Sequence, residues 1–413
     1  MAFNNRGAAA YELKHLDTAL ASYEQAIALN PLYANAFNNR GNVLKELQRV
    51  DEALESYDKA IALDPGHAGT LYNRATILRD LKRLDEALVD YDKAIALDPA
   101  YADALHGRGT LNLLRGLYRA GWVDYDWRLR LSHRRSPPAI SGRNWQGEDL
   151  SGRRIAIYSE MHFGDIIQFA RYLPLLSARG ANVTFIAPAK LIRLLQPLAP
   201  YAALVSAVAP QTPFDFQCAL MSLPRWFDTD LQSIPGPAPY LGAEKHLVAH
   251  WRNKIGAEGF RIGIAWQGAP QRTFDRRGYA LADIVPLSRL PGVRLISLQK
   301  NHGLDELENL PAGTTVETLG DFDGGADAFI DTAAVMENLD LVITSDTSIA
   351  HLAGALARPT WVALHHVPEW RWLLDRDDSP WYPTMRLFRQ PTDGDWRSVF
   401  ANMERELRGW LGD

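Results

Sequence analysis

The sequence predicts two architectures in one chain: an N-terminal α-helical repeat solenoid, then an α/β region built as two lobes, each around an open parallel sheet. Three observations carry this. AIALNP at 26–31 returns as AIALDP at 60–65 and again at 94–99, a recurrence every 34 residues. Beyond residue 152 the pattern changes to short apolar runs alternating with helical stretches, the order that parallel α/β sheets require. The passage IPGPAPYLGAEKHLVAHW then divides these runs into two series. The expected segments are therefore repeats at 1–131, a linker at 132–152, lobes at 153–243 and 244–393, and a closing helix at 394–413 that packs back across the lobes. The linker rests on SHRRSPPAISGRNWQGEDLSG, rich in Pro, Gly and Ser.

Several positions keep the 34-residue phase together. Tyr23, Tyr57, Tyr91 and Tyr125 do so, as do Arg6, Arg40, Arg74 and Arg108; Ala19, Ala53 and Ala87 are followed by Gly121. Small residues at a close helix contact and Pro at the repeat end resemble the tetratricopeptide repeat, a helix-turn-helix unit. One helix pair exposes an apolar face that only a stacked neighbour can bury, so the repeats should form a solenoid with a concave inner surface. Three repeats and part of a fourth are present, and the fourth departs after Tyr125, where DYDWRLRLSHRRSPP replaces the usual ending. The first repeat begins near its fourth position, so a cap or further repeats are expected upstream.

Asn5, Asn39 and Asn73 share the phase as well. A carboxamide carries a donor and an acceptor and can pair with a peptide group without reading side chains. Asparagine is equally a polar residue tolerated near a helix start, so both readings stand. In the protein O-GlcNAc transferases, which the repeats resemble here, asparagines at this position grip an extended polypeptide. That resemblance implies a protein acceptor bound by Asn5, Asn39 and Asn73.

Composition excludes several classes. The net charge of −5, from 44 basic and 49 acidic residues, offers no electrostatic attraction to nucleic acid or an anionic membrane. Cys218 is the only cysteine, so an internal disulfide and a thiolate metal cluster are both ruled out. With no apolar run near the roughly 18 residues of a membrane span and no signal-peptide core at the N-terminus, a cytoplasmic location is expected. His365 and His366 are neighbours on an expected strand and point to opposite faces, which argues against a metal site.

Expected strands of the first lobe are RIAIYS, NVTFIA, ALVSAV and FDFQCAL; those of the second are RIGIAWQG, VRLISLQK, TTVETLG, LDLVITSD, PTWVALHH and MRLFRQ. Ligands of such sheets sit at the carboxyl ends of strands. Three strand ends stand out: HFGDIIQFARYLPLL, AWQGAPQRTFDRRGY and TSDTSIAHLAGAL. None carries a GxGxxG fingerprint or a P-loop, which leaves dinucleotide and P-loop readings without support. HFGDIIQFARYLPLL, DTSIAHLAGAL and VPEWRWLLDRDDSPWYPTMRLFRQ followed by GDW together resemble the bacterial tetratricopeptide-repeat glycosyltransferases. Their catalytic half is similar to that of the GT-B heptosyltransferases. The resemblance implies a double-Rossmann GT-B fold with the acceptor on the first lobe and a nucleotide-sugar donor on the second, and chemistry without a metal or other cofactor.

Glycosyl transfer needs a base for the attacking hydroxyl and a cradle for the leaving diphosphate. The resemblance implies Asp165 as base. The family's Gly-Leu-Gly-Asp loop is here Met161-His162-Phe163-Gly164-Asp165, and His162, whose unperturbed pKa near 6.5 suits the task, remains a second candidate. Arg276, Arg277 and Lys300, with Gln299 beside it, are expected to meet the diphosphate, and Trp266, Gln267 and Gly268 to line the donor pocket. In TSDTSIAHLAGAL, the resemblance implies that Asp346 holds sugar hydroxyls while Thr347 and Ser348 hold phosphate. His351 lies one helical turn on from Thr347 and shares its face. Asp346 as a simple helix cap is the competing reading. The stretch WRWLLDRDDSPWYP is expected to stabilise its lobe by aromatic packing; Glu369 and Arg371 at its head have a rim of the donor site as their alternative and are not counted in the expected site. The functional expectation is an inverting transfer of a sugar to a protein Ser/Thr hydroxyl. Transfer to a saccharide or glycolipid, and a non-catalytic interaction protein, are the alternatives.

Overall fold

The structure, a computed structural model, describes residues 1–132, 138–160, 162–236, 238–268 and 277–412. It falls into two compact units, Met1–Arg135 and Ser136–Asp413.

The first unit is four helix pairs: α1 (Ala2–Glu12) with α2 (Leu16–Leu29), α3 (Ala34–Glu46) with α4 (Val50–Leu63), α5 (Ala68–Asp80) with α6 (Leu84–Leu97), and α7 (Ala102–Leu114) with α8 (Tyr118–Tyr125). The repeated tyrosine explains the repeated glycine. A Cβ on Gly7 or Gly41 would lie 2.7 or 2.6 Å from the ring of Tyr23 or Tyr57, closer than real contacts allow. The turns inside the pairs are periodic too. Lys14, Gln48 and Lys82 take positive φ of 60°, 60° and 61°, and Gly116 takes 78°. Each is followed by an N–H that reaches back to close the helix, as from His15 to Ala10 O at 2.9 Å.

The periodic arginines tie the two helices of each pair. Arg6 reaches Ser22 Oγ at 2.9 Å and Arg40 reaches Ser56 Oγ at 2.7 Å. In the next two repeats the hydroxyl becomes a carboxylate: Arg74 Nε donates to Asp90 Oδ2 and Arg108 Nε to Asp124 Oδ2, both at 2.7 Å.

The second unit holds two five-stranded, wholly parallel sheets. The first runs β1-β5-β2-β3-β4, from β1 (Arg143–Asn144), β2 (Arg154–Tyr158), β3 (Asn182–Ile186), β4 (Ala203–Val205) and β5 (Phe216–Ala219). Its helices are α9 (Phe163–Phe169), α10 (Leu173–Ala178) and α11 (Leu223–Trp226). After α12 (Lys245–Ile255) the second sheet runs β10-β9-β8-β6-β7, from β6 (Phe260–Ala265), β7 (Val293–Ser297), β8 (Leu341–Ser345), β9 (Thr360–Leu364) and β10 (Met385–Arg389). Its helices are α13 (Leu281–Ile284), α14 (Ile330–Met336), α15 (Ser348–Ala355) and α16 (Trp396–Leu411). Strands β8 and β9 are buried at every residue, which is why they read as unbroken apolar runs. Strand order reverses beside β2 in one sheet and beside β6 in the other, and such reversals open a crevice at the carboxyl ends.

Three expectations are corrected. TTVETLG forms no strand: Glu317 makes a single bridge with Ile296, and the flanking Gly313 and Gly320 both take positive φ and turn the chain away. The expected linker is structured from β1 onward, because Trp145 is buried against Trp226 and Phe227 and draws that segment onto the first sheet. Instead of crossing between lobes, α16 buries Val399, Phe400, Met403 and Leu407 in the core of the second lobe, where its apolar stripe meets Trp361 and Tyr279.

Candidate functional site

The carboxyl end of β8 runs straight into α15. Thr347 is the N-cap residue of that helix, and its Oγ accepts from Ile349 N at 3.3 Å. Asp346 therefore does not serve as the cap. It is only 6% exposed, and its Oδ2 has no hydrogen-bond partner among the described residues. The neighbouring Ser345 Oγ is likewise buried and unpartnered. Buried carboxylate oxygens are almost always satisfied, because leaving one bare forfeits its hydration. Gly268, at the end of the adjacent β6, brings a second loop onto this turn: a Cβ there would stand 3.1 Å from Thr347 Cγ2.

The first lobe meets the same place through α9. A Cβ on Gly164 would lie 2.8 Å from His351 Cδ2, so the two helix starts pack directly. Asp165 stands one turn into α9, and both its oxygens are engaged. Oδ2 accepts from His162 N at 3.4 Å, and Oδ1 accepts from Arg371 Nη2. Arg371 comes from the loop after β9 in the other lobe. Its Nε donates to Gln168 Oε1, its Nη1 pairs with Glu369 Oε1 at 2.6 Å, and its guanidinium stacks 4.5 Å above the Trp370 ring. Gln168 Nε2 is buried without a partner among the described residues, so one face of this cluster offers an unused donor and another an unused acceptor.

Glu369 is the carboxylate of this cluster whose ionisation is altered. Burial pushes its carboxyl up to about 7; Arg371 opposes the rise and the nearby charge of Asp346 adds to it. His351 goes the other way: burial, reinforced by Arg371 and Arg171, lowers its imidazole well below the usual range and keeps it neutral. Its Nδ1 lies 3.0 Å from Tyr382 Oη and its ring stacks on Trp372 at 5.6 Å.

The expected residues thus divide. Asp165, Gly268, Asp346, Thr347, Ser348 and His351 are brought together, and His162 lies exposed at the start of α9. Two others are withdrawn. Trp266 is 0% exposed, with its indole N–H on Glu306, so its ring belongs to the core of the lobe. Gln299 is buried and clamps loops: Oε1 accepts from Trp266 N and Gln267 N, and Nε2 donates to Gln267 O and His302 O. Gln267 is partly buried and held by Glu306. Lys300 donates to Phe322 O and helps to line a cavity of about 230 Å³ with Leu304, Leu307, Thr318, Leu319 and Phe322. Arg277 is half-buried beside the β6 loop, whereas Arg276 lies outside the described residues.

Gln168 was missed, and Glu369 and Arg371 were weighed as a rim of the donor site but not counted in it. A signal existed in the charged pair flanking Trp370, since charges inside so aromatic a segment need partners. Among the described residues no group of three or more His, Cys, Asp or Glu side chains is arranged to hold a metal ion. Among the described residues no helix is long and apolar enough to cross a membrane.

In the repeat unit, Asn39 Nδ2 donates to Asn4 Oδ1 at 3.2 Å and Asn73 Nδ2 to Asn38 Oδ1 at 3.1 Å, so these amides link the first helices of successive pairs. Asn5 is exposed.

Comparison with known proteins bears on the first unit most directly. The tetratricopeptide repeat family matches residues 34–67 and 68–101, and a TPR repeat family matches residues 7–48. The N-terminal third is a tetratricopeptide-repeat array. The chain is 26% identical over 323 residues to Protein FlbA of Caulobacter vibrioides, covering 72% of this chain and 53% of that protein. It thus spans about half the length of this curated relative. Among solved structures it is similar to the Arabidopsis OM64 TPR domain, with 29% identity, a TM-score of 0.26, and coverage of 27% of this chain and 91% of that one. It is also similar to the first TPR of Spaghetti (RPAP3) bound to an HSP90 peptide, with 20% identity, a TM-score of 0.27, and coverage of 27% and 88%.

Proposed function

We propose that the chain is a GT-B glycosyltransferase that moves a sugar from a nucleotide-sugar donor to a protein Ser/Thr hydroxyl with inversion, the repeats receiving the protein. The observation that carries this reading is the buried Oδ2 of Asp346 at the carboxyl end of β8, which has no hydrogen-bond partner among the described residues. A phosphate would suit the N–H groups at the start of α15, but the carboxylate beside them would repel it. A nucleotide sugar reconciles the two: its phosphates take the amides and the Ser348 hydroxyl while a sugar hydroxyl donates to Asp346. The cavity beside Lys300 suits the nucleoside end of such a ligand, being partly apolar and lined by Ser297 and Gln299 from the carboxyl end of β7.

Isothermal titration with UDP-, GDP-, ADP- and CMP-linked sugars tests the reading. Binding of one of them is expected, and Asp346→Asn is expected to weaken that sugar nucleotide at least about tenfold while leaving the bare nucleotide within about threefold. Equal weakening of both would remove the role given to Asp346, and binding of none would remove the transferase reading. A non-catalytic interaction protein is the second reading. It draws on Asp165, whose carboxylate is held by Arg371 and by the backbone of its own helix turn.

A further inference from the structure

We propose that Glu369 takes the proton from the attacking hydroxyl, and that Asp165 acts as a positioning residue that holds Arg371 across the two lobes. This inference rests on the transferase reading and assigns its base to a different carboxylate from the one expected.

The geometry separates the carboxylates that converge here. Asp165 is 15% exposed at its side chain, with one oxygen on Arg371 and the other on the backbone of its own helix turn. Asp346 is enclosed and sits where the sugar is to be held. Glu369 has the more open side chain of the cluster, 32% exposed against 15% for Asp165, while its carboxyl end is buried enough to be raised. Both its oxygens face Arg371, Oε1 on Nη1 and Oε2 on the backbone N at 3.1 Å, and this pair fixes the carboxylate in place. Each oxygen keeps a second lone pair for an incoming hydroxyl.

The surrounding charges are Arg371 on the same loop, Asp346 from the β8–α15 turn, and Asp165 of α9, reached through Arg371. Their balance, with burial, leaves a carboxyl that titrates near neutrality, as a general base requires. In the step itself the acceptor oxygen bonds to the anomeric carbon as its proton passes to Glu369. The bond from that carbon to the phosphate oxygen breaks, and its electron pair leaves with the nucleotide.

The test uses the full chain with UDP-N-acetylglucosamine, GDP-mannose and ADP-glucose, following nucleotide release with water as the acceptor from about pH 5 to pH 9. The wild type is expected to lose kcat on the acid side with a midpoint near 7, where Glu369 protonates. Glu369→Gln is expected to lower kcat about 100-fold or more and to abolish that limb, with Kd for the sugar nucleotide changed less than about threefold. Glu369→Asp recovers part of kcat with a displaced limb, and this variant decides the matter should the Gln form fail to fold. Asp165→Asn retains the limb at reduced kcat, as loss of positioning requires. A Glu369→Gln enzyme with intact turnover or an intact limb overturns the assignment alone, as does loss of the limb in Asp165→Asn. Failure of the wild type to bind or turn over any of these donors overturns the transferase reading and this assignment together.

Discussion

The repeat unit and the β8–α15 turn treat buried carboxylates in opposite ways. Asp90, with its side chain 1% exposed, accepts two bonds from Arg74, a residue sixteen positions away on the facing helix. Asp346, also buried at 6% exposure, has an oxygen with no partner among the described residues. In the first unit a charge inside the protein is a fastening, repeated wherever the helix pair repeats. In the second it has an oxygen that none of the described residues satisfies. Buried polar groups that lack partners mark the places where folding has been compromised for another purpose.

Removing each charge should therefore move stability in opposite directions. Asp90→Ala strands Arg74 with only the exposed Asp58 and is expected to cost about 3 kcal/mol or more in chemical denaturation of the full chain. Asp346→Asn is expected to gain about 1 kcal/mol in the same measurement, because a neutral amide is cheaper to leave unpartnered than a carboxylate. Were both to destabilise alike, Asp346 would be a structural residue and the contrast would disappear.

A smaller effect concerns pH. The folded state holds the proton of Glu369 more tightly than the unfolded chain does, with values of about 7 against 4.5, so its contribution to stability is complete below 4.5 and is lost as pH rises through 7. The melting temperature of Glu369→Gln relative to wild type is expected to climb between those two values. The slope should stay under about 1 kcal/mol per pH unit, since solvent screens a carboxylate that is a third exposed. A flat difference would mean that Glu369 titrates normally. The smallest expected change returns to the repeats: Gln48 holds a positive φ that suits glycine, as Gly116 shows at the same position two repeats later, and Gln48→Gly should stabilise by roughly 0.5 kcal/mol.

Much of the fold was legible because its causes are local. A 34-residue phase records the same helix contact made again and again, so Gly7 against Tyr23 and Gly41 against Tyr57 could be read as one rule. The strand series was legible for a similar reason, since a strand buried on both faces must be apolar throughout. TTVETLG shows the limit: its residues suit a strand, but a strand needs a neighbouring edge along its length, and this segment meets one only at Glu317.

Part of the candidate site was legible from position alone. Asp346, Gly268 and Asp165 follow strands, and the topology of parallel sheets carries strand ends to the crevice. Direction was not legible. Trp266 and Gln299 also follow strands, yet both turn into the lobe and serve Glu306 and the loop backbones.

The sequence by itself determined the repeat array, the two strand series and the strand ends from which a site is built, because period and apolar pattern act over a few residues. Only the tertiary structure decided which charges meet. Arg371 reaches Asp165 across 206 positions, Glu369 is raised by burial and by Asp346, and Thr347, not Asp346, takes the cap. Electrostatic pairing depends on distance in space, and nothing in the local pattern of either segment records that distance.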